Sequence, residues 1–473
     1  MLRVAKTENG MVRGLPLADN QITGFKGIPF AKPPVGENRW RAPQPADNWE
    51  GIRECYEFAP ISVQDRPGMG TDIYCREWHV DKDIPMGEDC LYLNVFTPAN
   101  STDDKLPVFV WFFGGGFQWG YTVEREFDAE RIARRGMIVV TVNYRVAVMG
   151  FLAHPELTKN QPDAPTNFGS LDQQAGLHWV KRNIANFGGD PDNITIAGQS
   201  AGGASVLHQL TNKDNANCIN KAIVLSGFIC DPFIKDPIIA PMTLEASELN
   251  GVEFLRFIGA SNIEEARKLD AFYVRDKYAE FANNHLRFAP VVDGKFCIDN
   301  PYNLIMEGKY PDIPIMAGNT SDEFMGKTPE ESYNGLPENE PFSVIEYSVK
   351  NIFSKLSSLN KPNNYYYCFE PDIPGEDNPG TFHSVDLWFF FETLMKSWRT
   401  FEGRHFDLAR QMCNYMTNFA KTGNPNGDDC NGRKLPEWKP YGKDEHNNMH
   451  FTSEGARTSV GNTELIDMLI EKL

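Results

Sequence analysis

Between residues 106 and 227 the hydrophobic positions change period several times, and each change marks an element. LPVFVWFF from Leu106 is a short apolar run, GGGFQWG after it is a loop, and MIVVTVNY at residues 137 to 144 is a β-branched run suited to a buried strand. Residues 171 to 187, LDQQAGLHWVKRNIANF, place Leu171, Ala175, Leu177, Val180 and Ile184 at helical spacing, and GGDPDN then stops the helix before the apolar strand ITIAG. KAIVLSG at 221 to 227 and IPIMAGN at 313 to 319 read as further strands. Strands that alternate with helices predict an α/β fold with a central, mostly parallel sheet flanked by helices. The more polar segments 262 to 287 and 329 to 362 predict helical insertions that cover the sheet above the site. No internal repeat and no long Pro/Gly/Ser-rich linker divides the chain, so residues 1 to 473 are expected to form a single domain.

Composition narrows the partners. Hydrophobic residues at 41% and charged residues at 23% are ordinary globular values, and no stretch approaches the roughly 18 apolar residues of a membrane helix. A formal charge of -18 repels phosphate backbones and anionic lipid, which argues against nucleic acid and membrane as partners and leaves a small neutral or cationic molecule. Nine scattered cysteines, an odd number, suit reduced thiols better than a disulfide framework, and neither Cys-x-x-Cys nor a Cys/His cluster with zinc spacing occurs, so no metal is expected. The first residues, MLRVAKTEN, have no apolar secretory stretch, and the expected location is cytoplasmic.

The chemistry begins at Gly198-Gln199-Ser200-Ala201-Gly202, a G-x-S-x-G pattern between an apolar strand and a small-residue helix. A strand that turns sharply into a helix lifts the serine hydroxyl into the open, and a bulky neighbour would block the turn. A serine hydroxyl attacks only when a base takes its proton and a third group orients that base. Of nine histidines, His383 lies in a loop between the turn Pro379-Gly380 and the apolar stretch DLWFFFETL, where it can reach the sheet face. The acid is Glu323 or its neighbour Asp322, in the polar loop after IPIMAG. Either choice gives the chain order Ser, acid, His. Gly114-Gly115-Gly116-Phe117, directly after a strand, can expose backbone N–H groups to a developing oxyanion, and the Ala201 amide adds one more. The spacing of these glycines is wrong for a dinucleotide fingerprint, and no P-loop lysine follows.

Several segments stand together in a known order: GIPFAKPPVGENRW at 27 to 40, GEDCLYLNVFTP at 87 to 98, NYRVAVMGFL at 143 to 152, DQQAGLHWVKRNIANFGGDP at 172 to 191, GQSAGG at 198 to 203 and PVVDG at 290 to 294. With them the chain resembles the type B carboxylesterase and cholinesterase family of the α/β-hydrolase fold over nearly its whole length. The resemblance implies a serine carboxylester hydrolase that cleaves small to medium esters through an acyl-enzyme and needs no cofactor. It implies a triad of Ser200, Glu323 and His383, with Gly115, Gly116 and Ala201 as the oxyanion hole. Structural ion pairs Arg39 with Glu88 and Arg145 with Asp172 are also implied. Phe117, Trp119, Leu286, Phe288 and Phe324, next to the catalytic loops, are the expected substrate pocket, whereas Trp388 to Phe391 are expected to be core. The chain departs from the family at Gln199, where glutamate is usual, and at Phe113, where histidine or tyrosine is common. The upstream cysteine that secreted members pair with Cys90 is also missing, Ser62 standing in that segment.

Overall fold

Alternation of side chains along a few central strands decides the architecture. In the computed structural model, which describes residues 1 to 233, 241 to 330 and 335 to 473, Val108, Val110 and Phe112 face one core while Phe109, Trp111 and Phe113 face another. Ile223 and Leu225 likewise point away from Ala222 and Val224. Strands with apolar residues on both faces must be covered on both, which is the condition for a parallel sheet between helices.

The sheet has eleven strands: β1 (Leu15–Pro16), β2 (Thr23–Pro29), β3 (Tyr92–Thr97), β4 (Leu106–Phe112), β5 (Ile138–Val142), β6 (Gly189–Gln199), β7 (Lys221–Leu225), β8 (Ile315–Thr320), β9 (Tyr365–Phe369), β10 (Asn447–Thr452) and β11 (Gly455–Val460). Their order across the sheet is β11-β10-β9-β8-β7-β6-β4-β5-β3-β2-β1. All pairings from β10 through to β5 are parallel, and the strands beyond them at either edge are antiparallel. From β4 the chain goes to β5 on one side and β6 on the other. Such a switch point opens a crevice at the carboxyl ends of the strands, where α/β sheets bind ligands.

The predicted helix over 171 to 187 forms as α1 (Phe168–Asn183) and continues as a 3₁₀ turn, Ile184–Phe187. The stretch after Ser200 forms α2 (Ala201–Thr211). Helices form in both expected insertions: α3 (Leu244–Phe257), which was not expected, precedes the first, and the short helix Ile263–Lys268 and α4 (Ala271–Phe281) make up most of 262 to 287. Within 329 to 362, residues 331 to 334 lie outside the described residues, and α5 (Val344–Ser358) accounts for half of the rest. Trp388, Phe389, Phe390 and Phe391 are all buried in the core beneath β9. Among the described residues no helix is long and apolar enough to cross a membrane.

Both ion pairs that the resemblance implies are present. Arg39 holds Glu88 through Nε and Nη2 at 2.6 and 2.7 Å. Arg145 grips Asp172 of α1 through Nε and Nη2, both at 2.7 Å, and both side chains are buried. Burial pushes the Asp172 carboxyl upward against the attraction of Arg145, so the charge is retained only while its partner stays. Arg145→Met is therefore expected to lower unfolding free energy by ~3 to 5 kcal/mol in urea titration, because it strands a buried carboxylate. The double variant Arg145→Met with Asp172→Leu should recover most of that loss; equal destabilisation by single and double variants would show that the pair's electrostatics are not the cause.

Candidate active site

Ser200 occupies the turn between β6 and α2 with φ 55° and ψ −125°, a conformation that a residue with a Cβ enters only under strain. Its neighbours make the strain possible. A Cβ at Gly198 would lie 2.2 Å from the Gly202 carbonyl oxygen, and one at Gly202 would lie 2.1 Å from the Phe112 carbonyl oxygen. Only glycine lets strand, turn and helix approach so closely. The Ser200 amide donates to the Leu225 carbonyl at 2.9 Å, which ties the turn to the end of β7.

Glu323 and His383 meet beside this turn. Glu323 is buried after β8; its Oε1 accepts hydrogen bonds from Ser226 Oγ and the Thr320 amide, both at 2.7 Å, and its Oε2 faces His383 Nδ1. Asp322 does something else. Its Oδ2 accepts from the Thr381 amide and hydroxyl at 2.8 and 2.9 Å, which fastens the loop that carries His383. His383 Nε2 lies 3.2 Å from the side-chain nitrogen of buried Gln199, and Ser200 Oγ has no hydrogen-bond partner among the described residues. The Phe324 ring stands edge-on to the imidazole, with centroids 4.5 Å apart.

Ser200, His383 and Gln199 open on a cavity of about 220 Å³ that is also lined by Gly114, Gly115, Gly116, Trp119 and Phe324. Among the described residues, no acceptor is bonded to the backbone N–H of Gly115, Gly116 or Ala201. The glycine loop is held from behind: Gln64 bonds both the N–H and the carbonyl of Gly120, and Tyr144 donates to the Phe113 carbonyl at 2.7 Å while stacking on the Phe113 ring.

Of the five expected pocket residues, Trp119 and Phe324 line this cavity. Phe117 instead borders a neighbouring smaller cavity with Leu207 and His208. Leu286 is 46% exposed and lines neither of them. Phe288 is buried in the helical insertion against Phe254 and Tyr278, and only its backbone serves the site, by accepting from Gln118 Nε2 at 2.8 Å. Adjacency in the chain suggested these two, but the insertion buries Phe288 in its own core and leaves Leu286 facing outward.

Trp78, which loosely matches a tryptophan that cholinesterase-like relatives keep near the site, also lines the cavity. Tyr74, His79, Glu124, Glu126, Phe127 and Leu387 complete the lining and were not expected from the sequence. Nor was Asp386, three residues after His383, where it accepts from Tyr367 Oη at 2.8 Å. The only residues among those described that could hold a metal ion are Cys368, Glu370 and His450, whose ligand atoms lie within 4.8 Å of one another. Glu370 there already serves Arg457 and His450, and none of the three lines the cavity. Cys90 is buried beside Ser62, and no two cysteines are bonded.

Comparison with known proteins gives a consistent result. A family model described as "Carboxylesterase family" matches residues 2–334 and 327–465. The chain is 30% identical to carboxylesterase 4A of Bos taurus over 93% of its own length and 90% of that protein. It is 30% identical to the para-nitrobenzyl esterase of Bacillus subtilis over 96% and 95% of the two chains. A solved carboxylesterase of Geobacillus stearothermophilus superposes with a TM-score of 0.81 at 27% identity, covering 99% of both chains.

Asp386 gives the site a measurable pH signature. Burial first, and the Glu323 charge second, push its carboxyl up to about 7. The folded protein thus keeps a proton that the unfolded chain releases above about pH 4, so this group's contribution to stability is present below that pH and is lost as pH rises towards 7. Asp386→Asn keeps an acceptor for Tyr367 but removes the titration. The melting temperature of the variant relative to the parent should rise between pH 5 and pH 8, and a difference that stays constant over that range would contradict the assignment.

Proposed function

The chain belongs to the carboxylesterase family, and from that premise we propose that Ser200, His383 and Glu323 carry out its hydrolysis of carboxylic esters, with the N–H groups of Gly115, Gly116 and Ala201 binding the oxyanion. The protein is a carboxylesterase of the α/β-hydrolase fold. The observation that carries the residue assignment is a single cavity in which a strained serine, a carboxylate-bound imidazole and unclaimed backbone N–H groups converge. We read the whole chain as one hydrolase domain.

In this reading His383 Nε2 accepts the Ser200 proton while Oγ attacks the ester carbonyl carbon. The carbonyl oxygen takes the displaced electron pair and is held by the three N–H groups, where preorganised dipoles act with little competition from water. Collapse expels the alkoxide, which His383 protonates, and leaves an acyl-Ser200. Water then attacks that acyl carbon, gives its proton to His383, and the carboxylic acid departs with Ser200 restored. Glu323 stabilises the imidazolium formed in each half-reaction; Ser226 and the Thr320 amide fix its other oxygen and so its direction. The imidazole exchanges its Gln199 neighbour for Ser200 when substrate arrives, a tightening that catalytic hydrogen bonds commonly undergo in the substrate complex. A cavity of about 220 Å³, the share of roughly seven liquid waters, suits small to medium esters.

The test is turnover of p-nitrophenyl esters from acetate to decanoate. Ser200→Ala should fold normally by circular dichroism and lose about three orders of magnitude or more in kcat, as removal of a triad nucleophile does. His383→Ala should be nearly as severe, and the double variant little worse than either, because the two act as a unit. Unchanged turnover in Ser200→Ala, or losses that multiply in the double variant, would overturn the assignment.

A further inference from the structure

Towards the β11 edge of the sheet, neighbouring strands assemble a set of side chains that the linear sequence keeps apart. β9 pairs with β10 in parallel, with Cys368 opposite His450, and β10 pairs with β11 in antiparallel, with His450 opposite Arg457. The ladder continues one residue past β9, because the Glu370 amide donates to the Phe451 carbonyl at 2.9 Å. Residues two apart on a strand share a face, and adjacent strands lie about 4.8 Å apart. Cys368, Glu370 and His450 therefore meet on one face, partly buried, with one ligand atom of each within 4.8 Å of the others. His450 is already aimed. Its Nδ1 faces Glu370 Oε1 at 2.9 Å and its Nε2 faces Ser459 Oγ of β11 at 2.8 Å. A serine hydroxyl both donates and accepts, so Ser459 holds the ring in either tautomer. Both hydrogen bonds to the Glu370 carboxylate fall on Oε1, which leaves Oε2 without one among the described residues.

We propose that Cys368, Glu370 and His450 form a binding site for a divalent metal ion of the zinc class, with water as the fourth ligand. Thiolate sulfur, imidazole nitrogen and carboxylate oxygen are the donors that zinc takes in proteins, at roughly 2.0 to 2.3 Å in a tetrahedron. Ligands of one such ion stand roughly 3.3 to 3.8 Å from each other, so these three close on it by small side-chain rotations. The His450 Nδ1 lone pair turns to the metal while Nε2–H donates to Ser459, the outer hydrogen bond that orients a metal-bound imidazole. Binding releases the Cys368 thiol proton to water, and thiolate and carboxylate then balance the charge of the ion. Glu346 and Lys350 of α5, whose charges also reach Cys368, are bonded to each other. Arg457 competes for Glu370, which it holds at 3.0 Å, but its side chain is 68% exposed and can leave into water. None of the three ligands lines the Ser200 cavity, so the ion ties β9 to β10 and takes no part in ester hydrolysis. Spacing in the chain gave no sign of this site, because its ligands are neighbours only across strands.

The experiment titrates the full chain, dialysed against a chelator and then freed of it, with Co²⁺, whose thiolate complexes absorb in the near ultraviolet. No cysteine lines the Ser200 cavity, so this band reports a cysteine-containing site and not an ion held by His383. The parent protein is expected to develop the band with one Co²⁺ per chain and to lose it when Zn²⁺ displaces the cobalt. Cys368→Ser should lack the band. His450→Gln and Glu370→Gln should each weaken binding by about tenfold or more. Arg457→Ala, which removes a competitor at an exposed position, should bind more tightly than the parent. Zn²⁺ should also raise the melting temperature of the parent, since it binds only the folded site, and leave that of Cys368→Ser unchanged. A parent without the band, a band that persists in Cys368→Ser, or His450→Gln binding as tightly as the parent would each overturn the site. If Cys368→Ser fails to fold, His450→Gln and Arg457→Ala decide, and cobalt affinities equal to the parent's in both would overturn it.

Discussion

The turn at Ser200 is closed by contacts between main-chain atoms that leave no room for a side chain, and the geometry of the site follows from that closure. Because Gly202 lies against the Phe112 carbonyl, the end of β4 and the start of α2 are fixed to each other. The glycine loop after β4 and the turn that opens α2 are therefore held against each other. β7, next to β6, takes the Ser200 amide and supplies Ser226, and β8 beyond it supplies Glu323. Four adjacent parallel strands thus each deliver one part of the site at their carboxyl ends, and the crevice at the β4–β6 switch point is where those parts gather.

What the sheet cannot deliver is brought in by loops, and these are held by buried polar groups rather than by packing alone. His383 arrives on a loop that Asp322 and Thr381 fasten to β8, and Asp386 ties the following turn to Tyr367 of β9. The glycine loop is braced by Gln64 and Tyr144, and the helical insertion reaches it through Gln118 and the backbone of Phe288. Buried polar contacts of this kind define one arrangement, because each unmet partner costs free energy. They also explain why charges such as Arg145 with Asp172 lie deep in the scaffold, away from the chemistry.

The cavity beside Ser200 has walls of mixed character. Aromatic rings dominate one part, as in most small-molecule sites, and the acidic pair at Glu124 and Glu126 gives another part a polarity that hydrolysis itself does not require. The groups proposed for catalysis come from strand ends and from the loop of His383, and much of the remaining lining comes from the irregular segments around Trp78 and Glu124.

Much of this was legible in the chain before any coordinates. Continuous apolar runs located the central strands and a 3.6-residue period located α1, because burial on two faces or one leaves a local imprint on composition. The elbow and the glycine loop were legible for a related reason: their conformations forbid side chains, and a glycine shows that directly. The order of the segments carried the family. The choice between Glu323 and Asp322 was not fixed by residue chemistry, since both are carboxylates in one loop, and only the direction each takes after β8 sends one to His383 and the other to Thr381. Phe288 and Leu286 were placed at the pocket by sequence adjacency, whereas the insertion buries one and exposes the other. Asp386, Glu124 and Glu126 gave no signal, because a charged residue in a loop reads the same whether solvent or a cavity receives it. Local sequence determined the elements and the residues whose backbone is special; the partners of each side chain, which depend on strands far apart in the chain becoming neighbours, were decided by the tertiary structure alone.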